Sequence, residues 1–92
     1  MAAKVQIPSL LQKLVGGAKE IETSGATIGQ VVDDLESRHP GIKARLLEEN
    51  TGNIQPFVTI YLNDEDVRFL EGLDTLVADD NTILILPAVA GG

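Results

Sequence analysis

Thr27-Ile28-Gly29-Gln30-Val31-Val32-Asp33-Asp34-Leu35 is the stretch around which the rest of the 92-residue chain is organised. Thr27 and Gln30 have capping-box spacing, and Ile28, Val31, Val32 and Leu35 occupy positions i, i+3, i+4 and i+7. That pattern predicts one amphipathic helix running from Thr27 to about His39, stopped by Pro40-Gly41. A shorter apolar spacing in Ile42, Leu46 and Leu47 predicts a turn or two of further helix before the polar segment Glu48 to Asn53.

On the N-terminal side, Lys4 to Pro8 alternates, with Val5 and Ile7 on one face, and reads as a first strand. Leu10, Leu11 and Leu14 then anchor a loop before Gly16-Gly17, and Ala18 to Thr23 reads as a second strand. On the C-terminal side, Phe57 to Leu62 has period two, with Val58, Ile60 and Leu62 on one face and Phe57, Thr59 and Tyr61 on the other. Asn63-Asp64 makes a turn, Val67 to Phe69 reads as a short strand or bridge, and Leu73, Leu76 and Val77 fill a connecting arc. After the turn Asp79-Asp80-Asn81, Thr82 to Pro87 is a strongly β-forming run.

Two strands before a crossing helix and two or three after it specify an α+β fold: a mixed sheet of four to five strands with one main helix. The last strand is expected to pair with the first. The core expected is Val5, Ile7, Ile28, Val32, Leu35, Val58, Ile60, Ile83 and Ile85. A single helix covers only one sheet face, so Leu84 and Leu86, out of phase with Ile83 and Ile85, are left on the other with Tyr61 and Phe57. That apolar patch is a candidate docking face for a protein partner.

Composition narrows the function. There is no cysteine, which excludes a thiolate nucleophile, a zinc site on Cys ligands, an iron–sulfur cluster and a disulfide scaffold. Seven Lys and Arg against fourteen Asp and Glu give a net charge of −7, which repels a nucleic-acid backbone. No stretch approaches the roughly 20 apolar residues of a membrane span, and no signal-peptide core follows Met1, so a cytoplasmic location is expected. His39 stands alone and reads as a helix-end residue. The Asp64-Glu65-Asp66 run lacks the glycine and distant glutamate of a calcium loop. With no side chain set up for catalysis and no metal site, the protein is not expected to be an enzyme.

The last six residues, Pro87-Ala88-Val89-Ala90-Gly91-Gly92, carry no charge and no large side chain. Five residues past Pro87, fully extended, reach about 17 Å beyond the fold, enough to enter another protein's active site. Gly91 and Gly92 fit a narrow channel because they lack a Cβ, and the distinctive reactive group is the α-carboxylate of Gly92. The expected organisation is a folded domain over residues 1–87 and a flexible tail over 88–92.

The order of elements, the turn Asn63-Asp64-Glu65-Asp66-Val67-Arg68-Phe69 and the ending Leu86-Pro87-Ala88-Val89-Ala90-Gly91-Gly92 resemble the ubiquitin-like sulfur carriers, a β-grasp family. Within it the chain is most similar to carriers of the molybdopterin-synthase small-subunit type, especially the branch that supplies sulfur for cysteine synthesis. The resemblance implies a ubiquitin-like β-grasp fold and a cycle in which an ATP- and magnesium-dependent adenylating enzyme activates Gly92 and a sulfur donor protein converts the acyl-adenylate to a thiocarboxylate. It implies no tightly bound cofactor on the carrier itself. In the cysteine branch the sulfur passes to a pyridoxal-phosphate-dependent cysteine synthase, and a metalloprotease regenerates the Gly-Gly end. The family's turn before the last strand usually reads Asp-Gly-Asp, whereas here Asp79-Asp80-Asn81 must place Asp or Asn in any left-handed position.

Three alternatives share these residues. In the first the sulfur goes to molybdopterin, thiamine or tRNA thiolation; in the second the activated Gly92 is joined to lysines as in a ubiquitin-like modifier; in the third the domain is a purely non-covalent module.

Overall fold

The computed structural model describes residues 3–87. Its strands are β1 (Ala3–Gln6), β2 (Glu20–Thr23), β3 (Val58–Leu62), β4 (Glu65–Asp66) and β5 (Thr82–Pro87), and its helices are α1 (Ile28–Arg38) and the short α2 (Ile42–Leu46). The sheet is mixed, in the order β2-β1-β5-β3-β4. The β1–β5 pair at its centre is parallel and the other pairs are antiparallel. First and last strands pair, as expected from the order of elements.

The main helix begins as its spacing dictates. Thr27 Oγ1 accepts from Gln30 N at 3.2 Å, while Gln30 Oε1 accepts from Ala26 N at 2.8 Å, one residue earlier than in the usual reciprocal box. At the other end His39 N donates to Leu35 O at 2.7 Å, and Pro40 ends the helix. The Glu36 carboxylate then accepts from Gly41 N and Lys43 N, so a side chain of α1 satisfies the N–H groups of the cap and of the second residue of α2, while Ile42 N donates to His39 O.

Every expected core residue is buried: Val5, Ile7, Ile28, Val32, Leu35, Val58, Ile60, Ile83 and Ile85. Val31, Ile42, Leu46 and Val67 join them. The buried hydroxyl of Thr23 donates to Ala3 O at 3.2 Å, and no buried side-chain polar atom among the described residues lacks a partner.

Several boundaries differ from expectation for local reasons. Ser9–Val15 is a 3-10 helix and not a loop; Leu11 and Val15 face the core while Leu10 points out. β2 starts at Glu20 and not at Ala18, because Ala18 N is taken by Val15 O at the end of that helix. β3 starts at Val58, whose N–H closes a turn onto Gln55 O, leaving Phe57 outside the strand. The short fourth strand is Glu65–Asp66, and Val67–Phe69 is a 3-10 turn instead of a strand: Asp66 Oδ1 accepts from Arg68 N at 2.9 Å and winds the chain tightly as Val67 is buried. Leu76 is 73% exposed and fills no core space, although its backbone bridges to Thr27.

Candidate functional site

With α1 packed on one face of the sheet, the strand registers decide what the other face presents. Tyr61 on β3 lies directly opposite Leu84 on β5, and Thr59 lies opposite Leu86. Leu84 in turn is level with Gln6 on β1, and Gln6 with Glu20 on β2; on the far side Tyr61 is level with Asp66 on β4. Register-matched neighbours share a face, so Leu84, Leu86 and Tyr61 stand together on the side away from Ile83 and Ile85. Leu86 is 43% exposed, and Leu84 and Tyr61 are half-buried. Phe57 is exposed too, but it sits in the turn before β3 and no ladder fixes its face.

Pro87 is the last residue of β5, level with Val58. It belongs to the sheet, although expected among the residues that thread into a partner, and β1 accompanies β5 only as far as Leu84. The remaining tail residues, Ala88, Val89, Ala90, Gly91 and Gly92, lie outside the described residues. The chain leaves the sheet at the end next to Leu86.

Away from this face two ion pairs lie on the helices. Arg38 pairs with Asp34 at 2.8 Å and Lys43 with Asp33 at 2.6 Å, both across helix surfaces. The hydrogen bond to Asp33, then the attraction of its charge, raises the Lys43 ammonium above its ordinary pKa. His39 caps α1 at its C-terminal end. Among the described residues no cluster of three His, Cys, Asp or Glu is placed to hold a metal ion, and no helix is long and apolar enough to cross a membrane. An open groove of about 580 Å³ beside Asn53, Arg68, Glu71 and Asp74 touches none of the residues of the sheet face.

Sequence reasoning missed two features. Phe69, 87% exposed on its 3-10 turn, reads as strand interior unless the Asp66 cap is recognised. Gln6, Glu20 and Asp66 fall on the same row as Leu84 and Tyr61, which requires knowing that β5 enters between β1 and β3.

The arrangement matches known proteins over its whole length. The model of the ThiS family matches residues 5–92. The sulfur carrier protein CysO of Mycobacterium tuberculosis is 48% identical over 93 residues, with 100% of both chains covered. The crystal structure of the Amycolatopsis orientalis BexX/CysO complex contains a chain that superposes with a TM-score of 0.92 at 52% identity, covering 99% of this chain and 100% of that one. Small archaeal modifier protein 3 of Haloferax volcanii is 36% identical over 67 residues, 73% of this chain and 71% of its own. The sequence match runs from the first strand to the Gly-Gly end, and the protein belongs to the ThiS family of ubiquitin-like sulfur carriers.

Proposed function

We propose that the protein carries sulfur as a thiocarboxylate on Gly92, for use in cysteine synthesis, and that it acts as a co-substrate of other enzymes in the cytoplasm. The observation that carries this reading is the end-to-end match to sulfur carriers named CysO, which leaves no segment of either chain unmatched. Chemistry explains the role. A carboxylate resists nucleophiles because oxide is a poor leaving group. An adenylating enzyme using ATP and magnesium lets the Gly92 carboxylate oxygen attack the α-phosphorus and expels pyrophosphate. Sulfide supplied by a donor protein then attacks the acyl carbon, and AMP leaves with the electron pair of the broken C–O bond, which leaves the thiocarboxylate. The terminal sulfur so formed adds to an aminoacrylate held by a pyridoxal-phosphate enzyme, which leaves the Gly92 acyl group joined to the new cysteine, and water at a metalloprotease splits that acyl bond, releasing cysteine and restoring the Gly92 carboxylate.

The carrier's own contribution is position. Leu84, Leu86 and Tyr61 form the docking face, and exposed Phe57, in the turn before β3, is a further candidate for it. Three residues of strand from Leu84 to Pro87 span about 10 Å and five extended residues about 17 Å more, so the partner's reaction centre lies within about 27 Å of the Leu84–Tyr61 row. Pro87 fixes where the sheet ends, and Ala88, Val89, Ala90 and Gly91 thread to the centre without a charge to desolvate.

Mass spectrometry tests the reading. Given ATP, magnesium, the adenylating enzyme and sulfide, the intact chain gains the mass of one sulfur replacing one oxygen, confined to Gly92, and the chain lacking Gly92 does not. Sulfur uptake by the truncated chain overturns the assignment. The similarity to a small archaeal modifier favours conjugation as a second reading, and ladders of lysine conjugates in a cell extract containing ATP would establish it.

A further inference from the structure

The uncovered face holds one row of side chains that crosses all five strands: Glu20, Gln6, Leu84, Tyr61 and Asp66, each level with the next. Its centre is apolar and both ends are carboxylates. Four inter-strand spacings separate those ends by about 19 Å. Glu20 and Asp66 keep their charges available. The ion pairs among the described residues engage Asp33 and Asp34 only. Glu22, one row further from the tail, is level with Lys4, whereas Glu20 is level with uncharged Gln6. Asp66 is held in place, since its Oδ1 accepts from Arg68 N at 2.9 Å, while Glu20 is a longer side chain on the edge strand β2.

We propose that this row is an orienting strip, and that the adenylating partner meets it with an apolar patch flanked by two Lys or Arg side chains about 19 Å apart. The proposal rests on the reading that this face docks the partner. A second copy of the chain is a poor occupant, because it would set carboxylates of two molecules, each of net charge −7, against one another. An apolar contact alone leaves the carrier free to rotate about Leu84–Tyr61. Charges at both ends of a row perpendicular to β5 stop that rotation and aim the tail. Lys4, also on this face one row away from the tail, repels the same cations if the carrier docks turned around.

The test uses the full-length chain and the adenylating enzyme of the same organism, with binding titrated at about 50 mM and about 300 mM salt. Glu20→Gln removes one terminal charge. Asp66→Asn removes the other while keeping an oxygen for the Arg68 N–H. Each is expected to weaken binding about 3- to 10-fold at low salt, and the double variant to lose most of the salt dependence. Glu49→Gln, a change at an exposed acid outside the row, is the control and binds like the native chain. Unchanged affinity and salt dependence in the double variant, with Leu86→Asp still blocking binding, overturns the strip and leaves the docking face standing. Normal binding by Leu86→Asp removes the docking face, and the strip with it.

Discussion

Arg38 Nη2 donates to the carbonyl oxygen of Glu22 at 2.7 Å, laying a helix side chain over the open edge of the sheet. β2 is the outermost strand on that side, and Lys4 N points to Asn81 O on the β5 side, so the peptide groups of Glu22, opposite Lys4, face away from the sheet. The same Arg38 is paired with Asp34, whose Oδ2 also accepts from Ser24 N at 3.0 Å. Arg38 of α1 thus occupies an outward carbonyl on β2, the longer of the two edge strands among the described residues.

Arg38→Ala is therefore expected to do two things. The lost bonds lie at the surface, so stability falls by no more than about 1 kcal/mol. The freed Glu22 carbonyl makes β2 a pairing site, and the variant self-associates with rising concentration in sedimentation or light scattering. A variant that stays monomeric at the solubility limit removes the guarding role.

Gly25 lies where the loop from β2 meets α1. A Cβ built there is 2.8 Å from Val31 N and 3.0 Å from both the carbonyl carbon and Cβ of Gln30. Mostly helix backbone blocks it, so no simple rotamer change makes room. Gly25→Ala is expected to lower the unfolding free energy in urea by about 1 to 3 kcal/mol.

The elements most legible in the sequence are those where one local rule and the global fold agree. Ile28, Val31, Val32 and Leu35 announce α1 by spacing, and all four are buried. The phase of Ile83 and Ile85 against Leu84 and Leu86 was equally readable, because a strand between two neighbours shows its faces by alternation. Where a side chain overrides the pattern, reading failed. Asp66 turns Val67–Phe69 into a 3-10 turn by capping Arg68, which no apolar period reports. Leu10, Leu11 and Leu14 carry no clear strand or helix period because they lie on a 3-10 helix, which repeats every three residues. The row from Glu20 to Asp66 follows only from pairing across four strand interfaces, information that resides in register and not in any one segment.

Asp80 has φ +67°, so the departure from the family's usual glycine leaves an aspartate in the left-handed region. Asn81 still closes the turn through its Oδ1, which accepts from Ala78 N at 2.7 Å. Asp80→Gly relieves the backbone strain and gives back part of it as entropy in the unfolded chain. The expected net is about 0.5 to 1 kcal/mol of added stability, read as a Tm higher by about 2 to 8 °C.

The Lys43–Asp33 pair makes a prediction of definite sign. Lys43 has a pKa raised above 10.5 in the folded chain by the Asp33 hydrogen bond and charge. The folded state holds that proton more tightly than the unfolded one, so the contribution is complete below 10.5 and is lost as pH rises through the folded value. The Tm gap between the native chain and Asp33→Asn should therefore be constant near neutrality and shrink in strongly alkaline buffer. A gap that widens there contradicts the pairing.

Neighbouring residues Ile85 and Leu86 offer the sharpest test of which face does what. Ile85 is 1% exposed beneath the helix and lies opposite Ile60; Leu86 is 43% exposed and opposite Thr59. An aspartate at position 85 places a carboxylate in the core with no partner, a cost of several kcal/mol that a domain of this size does not survive. At position 86 the carboxylate stays in water, and stability changes by about 1 kcal/mol or less. Circular dichroism should show Ile85→Asp unfolded and Leu86→Asp folded. Only the second variant then reports on docking: if Leu86 belongs to the contact, the folded Leu86→Asp chain is adenylated far more slowly than the native chain at equal concentration, and saturating carrier restores part of the rate, because the tail and Gly92 are untouched. Native-like adenylation of Leu86→Asp would move the partner's contact to another surface, for which exposed Phe69 is the next residue to change.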